Sequence, residues 1–180
     1  MSHSIAVPAL AYLFTFSTYG THLPGSRKGW VDAQHSIPGS PMRPYNPKRE
    51  EFWRSRLKEH PWIMDSEVRH VALNALLAVC RHRQWVAYGV HLRSTHIHGV
   101  IGGDVKPERM LCDLKAYATR ALRVAAGSQA RQRYWASHGS TRYLWNETSL
   151  RAGIDYVLNC QGVRMAVYEQ PEVPPQFSHL

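Results

Sequence analysis

The chain has 180 residues, 44% of them hydrophobic and 11% aromatic, enough for one domain with a buried core and too apolar for a disordered segment. Lys and Arg number 22 against 13 Asp and Glu, a formal net charge of +9 that points to a polyanionic partner, nucleic acid ahead of an anionic membrane surface. No apolar run approaches the roughly 20 residues that span a bilayer. The apolar stretch from Ile5 to Phe14 is broken by Pro8 and has no basic residue ahead of it, so it also fails as a signal peptide. Cys80, Cys112 and Cys160 are scattered and form no CxxC pair, which suits reduced cytoplasmic thiols and excludes a cysteine zinc site.

In chain order, Leu13 to Tyr19 alternates large apolar residues with Thr and Ser, the pattern of a half-buried strand. Gly20 to Pro47 is punctuated throughout by Gly and Pro and reads as a functional insertion or lid. Arg49 to Glu59 predicts a short helix with Phe52 and Trp53 packed inward. Val68, Val71, Ala72, Ala75, Leu76 and Val79 recur at steps of three and four, an amphipathic helix over Ser66 to Arg83. Strands follow at Trp85 to Leu92 and Thr95 to Gly102, joined by a tight hairpin at Arg93-Ser94. Pro107 opens a helix whose inner face carries Leu111, Leu114, Ala118 and Leu122, ending near Ala125. Arg142 to Trp145 is a last strand, and Thr148 or Ser149 caps a final helix that Gly162 ends. Strand, helix, strand, strand, helix, strand is the α+β, ferredoxin-like βαββαβ order: an antiparallel sheet with helices on one face and an appended C-terminal helix. Residues 1–180 then form a single domain, with the insertion at about 20–47 and an extended tail from about 169.

Chemistry concentrates in two places. In His96-Ile97-His98 the two imidazoles lie at i and i+2 of a strand, so both project from one face. Two neutral imidazoles side by side suit a divalent metal and leave positions open for a phosphate oxygen. A histidine-triad hydrolase would need another histidine where Val100 stands. In the last helix, Leu150, Ile154, Val157 and Leu158 form the buried stripe, while Tyr156 lies beside it among Ala152, Gly153, Asn159 and Cys160, with its hydroxyl accessible. A phenol is a competent nucleophile for phosphoryl transfer. Tyr117, the rival tyrosine, shares a face with Met110, Leu114 and Ala121, and core packing explains it. Lys115, Thr119 and Arg123 are spaced by four on the outward face of their helix and suit phosphate contacts, with Arg120 beside them. Trp30 and Tyr45 in the insertion are available for base stacking.

Together these residues resemble the single-tyrosine HUH transposases, in particular the insertion-sequence-200-like and REP-associated tyrosine transposases. The resemblance is carried by THIHGVI around His96 and His98, by DYVLNCQG from Asp155, and by the wording at Leu13 to Gly20, Leu114 to Leu122 and His138 to Trp145; it runs from about Tyr12 to Gly162. It implies a metal-dependent single-strand DNA endonuclease and strand transferase. His96 and His98 would hold Mg²⁺ or Mn²⁺, and Tyr156 would form a 5′-phosphotyrosine. The partner would be single-stranded or hairpin DNA, the location the bacterial cytoplasm, and the assembly a monomer or homodimer. The family's third metal ligand stands four residues after the tyrosine, where this chain has Cys160. Gln161, the candidate here, is five residues on, about 140° around an ideal helix, and serves only if the helix end unwinds near Gly162. The alternative is an inactive or domesticated transposase that binds nucleic acid through its basic surface alone.

Overall fold

The structure is a computed structural model, which describes residues 8–27, 29–30 and 41–171. Much of the Gly/Pro-rich insertion and the end of the tail lie outside the described residues. Strand β1 (Ala11–Ser17) buries Ala11, Tyr12, Phe14 and Phe16. Helix α1 (Pro47–Arg54) starts where Pro47 presets the backbone and the Asn46 side chain accepts the Arg49 N–H at 3.0 Å. Helix α2 (Ser66–Arg83) is capped by the Asp65 carboxylate on the Val68 N–H at 2.8 Å. It carries Glu67 in its first turn and Arg81, His82 and Arg83 in its last, matching the helix dipole at both ends. Gln84 then turns left-handed at φ 58° to end it. Strands β2 (Val86–Leu92) and β3 (His96–Gly102) form a hairpin whose connection is Arg93–Thr95, closed by the Arg93 N–H on the His96 carbonyl at 2.8 Å. Helix α3 (Pro107–Ala126) buries Met110, Leu114, Ala118 and Leu122, a single ridge at steps of four. Strand β4 (Ser140–Leu144), helix α4 (Glu147–Asn159) and strand β5 (Ala166–Glu169) complete the chain.

The sheet order is β4-β1-β3-β2-β5, with every neighbouring pair antiparallel. Its first four positions are the ferredoxin-like arrangement: β1 and β2 flank β3, and β3 and β4 flank β1. Helices α2 and α3 pack on one face over a core that includes Phe14, Phe16, Leu76, Leu92, Ile97, Ile101 and Leu114. Helix α4 covers the other face over Ala11, Tyr88, Val100, Leu144, Leu150, Val157 and Leu158. The appended helix therefore makes a third layer and leaves the central strands buried on both sides.

Three differences from the sequence reading have physical causes. The segment between α4 and the tail, to which the sequence reading assigns no element, contains a fifth strand. Gly162 at φ 75° turns the chain back, and β5 pairs with β2, satisfying backbone groups that the hairpin leaves open on that edge. Helix α4 is capped by Asn146 rather than by Thr148 or Ser149. The Asn146 side chain accepts the Ser149 N–H at 2.8 Å, and the Ser149 hydroxyl accepts the Asn146 N–H at 3.2 Å, a reciprocal box. Helix α1 stops at Arg54, and Phe52 and Trp53 do not pack inward: they are 49% and 41% exposed, and no residue of α1 is buried. Among the described residues no helix is long and apolar enough to cross a membrane.

Candidate active site

The alternation of β3 decides which side chains meet α4. Ile97 and Ile101 enter the α2/α3 core, whereas His96, His98 and Val100 face α4. The two imidazole centroids are 4.8 Å apart at an interplanar angle of 83°. Each ring is held through Nδ1 by a threonine hydroxyl. Thr15 Oγ1 lies 2.8 Å from His98 Nδ1, directly across the β1–β3 ladder, and Thr95 Oγ1 lies 3.1 Å from His96 Nδ1. With Nδ1 so engaged, Nε2 is the nitrogen through which either ring would bind an ion, the arrangement in which an outer hydrogen bond fixes ring orientation and tautomer. Thr95 is itself pinned, because its carbonyl accepts the Thr18 N–H at 2.8 Å and the hydroxyls of Thr18 and Thr21 at 3.0 and 3.2 Å. Burial, with smaller contributions from His96, His91 and Arg93, pushes the His98 imidazole down from 6.5 to about 4. His98 is therefore neutral near pH 7, the form that ligates metal.

Helix α4 brings Tyr156 to this pair. Gly153 is buried against the sheet, where an added Cβ would sit 3.0 Å from Leu144 Cδ1 and 3.5 Å from Val100 Cγ2, so the helix approaches closely there. One turn on, the Tyr156 ring lies 5.6 Å from His98 at 85°, edge to face, and remains 43% exposed. The nucleophile candidate and the histidine pair thus meet within one chain.

His91, which carries no motif spacing, fastens this layer. It is fully buried opposite His98 in the β2–β3 register. The Met165 N–H donates to His91 Nε2 at 3.2 Å, so Nδ1 carries the proton and donates to the Val157 carbonyl at 3.1 Å. Both ring nitrogens are committed to the two ends of the α4–β5 connection.

Gln161 falls outside the helix, since α4 ends at Asn159 with Cys160 as its cap. The Gln161 amide N–H donates to the Tyr156 carbonyl at 2.9 Å, folding the side chain back towards the tyrosine turn with its own oxygen unspent on that bond. Cys160 is exposed, with its thiol 3.9 Å from an Asp155 oxygen. Among the described residues no group of three or more His, Cys, Asp or Glu side chains could hold a metal ion.

Lys115, Arg120 and Arg123 lie on α3, across the sheet from the histidines. Lys115 Nζ is half-buried and donates to the carbonyls of Ala136 and His138 at 2.8 and 3.2 Å, clamping α3 to the segment before β4; burial lowers its pKa. Arg120 stacks on Tyr117 at 4.2 Å, and Arg123 donates to the Gln132 carbonyl at 3.3 Å. Trp30 is not open to bases. It is buried, donates its indole N–H to the Pro44 carbonyl at 2.9 Å, and is covered by the guanidiniums of Arg43 and Arg49. Tyr45 is 40% exposed, with Arg27 over its ring.

No protein-family model and no curated protein matches the chain. Among the solved structures similar to it are two transposases. One is a REP-associated tyrosine transposase bound to a REP hairpin, at 12% identity and a TM-score of 0.46, with 88% of this chain and 70% of that one covered. The other is a Deinococcus radiodurans R1 protein assigned as a transposase, also at 12% identity, with a TM-score of 0.49 and 92% of this chain and 99% of that one covered. Likeness at that distance carries no chemistry across. The histidine pair, the threonines behind it and Tyr156 carry the functional reading by themselves.

Proposed function

We propose that the protein is a DNA strand transferase that cuts single-stranded DNA through Tyr156. The observation that carries this is the Tyr156 ring against His98 in a site that also holds His96, with the tyrosine exposed and the histidine neutral. The donor set fits a divalent ion: two imidazoles presented from one strand face, each braced at Nδ1, with the Gln161 oxygen as the candidate third ligand. Such an ion, Mg²⁺ or Mn²⁺, would supply charge neutralisation at the scissile phosphate. Tyr156 Oη attacks phosphorus, the bond from phosphorus to the 3′ oxygen breaks, and the strand leaves with a free 3′-OH. The phenol loses its proton to water, and the departing 3′ oxygen takes one up. The 5′ phosphate remains on Tyr156 as a phosphodiester, so no nucleotide cofactor is consumed, and a 3′-OH attacking that ester reverses the step. Because the tyrosine reaches the histidines in one chain, exchange of α4 between two copies is not required.

The test is incubation of labelled single-stranded and hairpin DNA with Mn²⁺, followed by denaturing electrophoresis and peptide mapping. Wild type and Tyr117→Phe give a covalent adduct at Tyr156. Tyr156→Phe and His98→Ala give none. An adduct that survives Tyr156→Phe, or one that forms equally in chelator, rejects the proposal.

A further inference from the structure

Helix α1 contradicts the ordinary logic of a short helix. An eight-residue helix is marginal unless it buries an apolar face, yet this one buries nothing and displays Phe52 and Trp53 to solvent. It is held instead from its other side. The Asn46 N–H donates to the Gly25 carbonyl at 2.9 Å, and Gly25, at φ 95°, lies so close that a Cβ would be 2.6 Å from both the Asn46 carbonyl and the Glu50 nitrogen. Arg49 lies over the Trp30 ring at 4.4 Å, and its buried Nε has no hydrogen-bond partner. The aromatic side stays open. Steps of four place Lys48 and Phe52 along one ridge and Arg49 and Trp53 along the next, with Arg56 just past the end of the helix. Arg56 covers one face of Phe52 at 3.5 Å, and Trp53 meets Phe52 edge-on at 5.7 Å. Asn46, Lys48, Arg49, Phe52 and Trp53 line an open cleft of about 470 Å³, separate from the histidine pair.

We infer that this cleft is a second DNA-binding surface, in which bases of a single strand stack on Trp53 and Phe52 while Lys48 faces the phosphates, beside the guanidiniums of Arg56 over Phe52 and Arg49 over Trp30. The inference rests on the single-strand DNA reading above. Exposed rings interleaved with cations at helical spacing are the chemistry of sequence-tolerant strand binding. A duplex cannot use them, because its base faces are already stacked. Glu50 pairs with Arg54 at 2.6 Å, and over residues 47–58 Lys48, Arg49, Arg54, Arg56 and Lys58 outnumber Glu50 and Glu51, so the local charge is positive. The platform is tied to the end of the sheet that carries His96. The Tyr19 hydroxyl, just beyond β1, accepts the Lys58 N–H at 2.9 Å, and the Met64 N–H donates to the Ser94 carbonyl at 2.8 Å.

The test is fluorescence anisotropy with a labelled oligothymidylate strand, a labelled duplex and a hairpin, all in a Tyr156→Phe background to block covalent attachment. Trp53→Ala should weaken strand binding by about 5- to 150-fold, the worth of one stacked base. Trp53→Phe should keep most of that affinity, and duplex binding should not change. Trp53 is exposed, so thermal unfolding of Trp53→Ala should match the parent. Strand affinity unchanged in both Trp53→Ala and Phe52→Ala overturns the inference, as does an equal loss on duplex. A change in oligomeric state without a change in strand affinity would assign the surface to a protein partner instead. If the parent binds no strand at all, the strand-transferase reading falls with it; if adducts form in the Tyr156-containing protein while the Trp53 variants bind normally, only this inference falls.

Discussion

Gly153 sets how closely the tyrosine helix approaches the sheet, and enlarging it beyond a methyl should lower stability and adduct formation together. A Cβ there meets Leu144 Cδ1 at 3.0 Å and Val100 Cγ2 at 3.5 Å, and both of those side chains are themselves buried. For Gly153→Ala the gain in helix propensity is about 1 kcal/mol. That gain opposes a shift of a few tenths of an ångström by one leucine methyl, and the two should nearly cancel. Gly153→Val adds two γ-carbons where no space exists and loses part of the propensity gain, so overpacking should dominate at roughly 1–3 kcal/mol. The cheapest relief is for α4 to lift from the sheet, which moves Tyr156, one turn away, from His98. A misplacement of about 1 Å at a reacting group costs on the order of 100-fold in rate. Urea unfolding should therefore show Gly153→Ala close to wild type and Gly153→Val clearly less stable. The single-turnover adduct rate should fall far more in the valine variant than in the alanine one. A Gly153→Val protein with wild-type unfolding midpoint and adduct rate would refute the close-approach argument.

His91→Phe keeps the ring volume but strands the Val157 carbonyl and the Met165 N–H, at roughly 1–3 kcal/mol for each group left unpaired. Denaturant titration should register the loss, and an unchanged midpoint would show that the imidazole is not a fastener. The acid limb of stability follows from His98. Its folded pKa is lowered, so the proton prefers the unfolded chain; the stabilisation is complete above pH 6.5 and is lost as pH falls through about 4. At 1.36 kcal/mol per pH unit this is on the order of 3 kcal/mol. Unfolding measured in chelator from pH 7 to pH 4 should be steeper for wild type than for His98→Asn, and equal slopes would remove His98 as the cause.

The parts of the fold visible in the sequence are those with a clean period. Steps of three and four marked α2 and α3, alternation marked β1, and the hairpin around Arg93 fixed the order from which the sheet follows. The candidate site is legible for the same reason: i and i+2 put His96 and His98 on one face, and Tyr156 stands off an apolar stripe. What stayed hidden depends on neighbours far apart in the chain. Thr15 orients His98 only because β1 lies beside β3 in the register that sets those two residues opposite one another. His91 has no spacing partner at all and acquires its role from α4 and Met165. Lys115 has the helical phase of a phosphate contact, but its ammonium finds two carbonyls of a distant segment first. Phe52 and Trp53 are exposed despite their hydrophobicity, which alone does not decide burial, and the four residues of β5 carry no periodic signal.

The two faces of the sheet are held by unequal cores. Among the described residues, twenty buried hydrophobic residues make up the core on the α2 and α3 side of the sheet, but seven make up the one under α4. Cooperative units with less buried apolar surface open at lower free energy, so amide protons of α4 should exchange with solvent before those of α2 and α3. Warming or mild denaturant would then free the tyrosine from its seat while the rest of the domain keeps its native proton protection. Tyr156 would detach with its helix as a unit from a scaffold that stays folded and still displays both histidines.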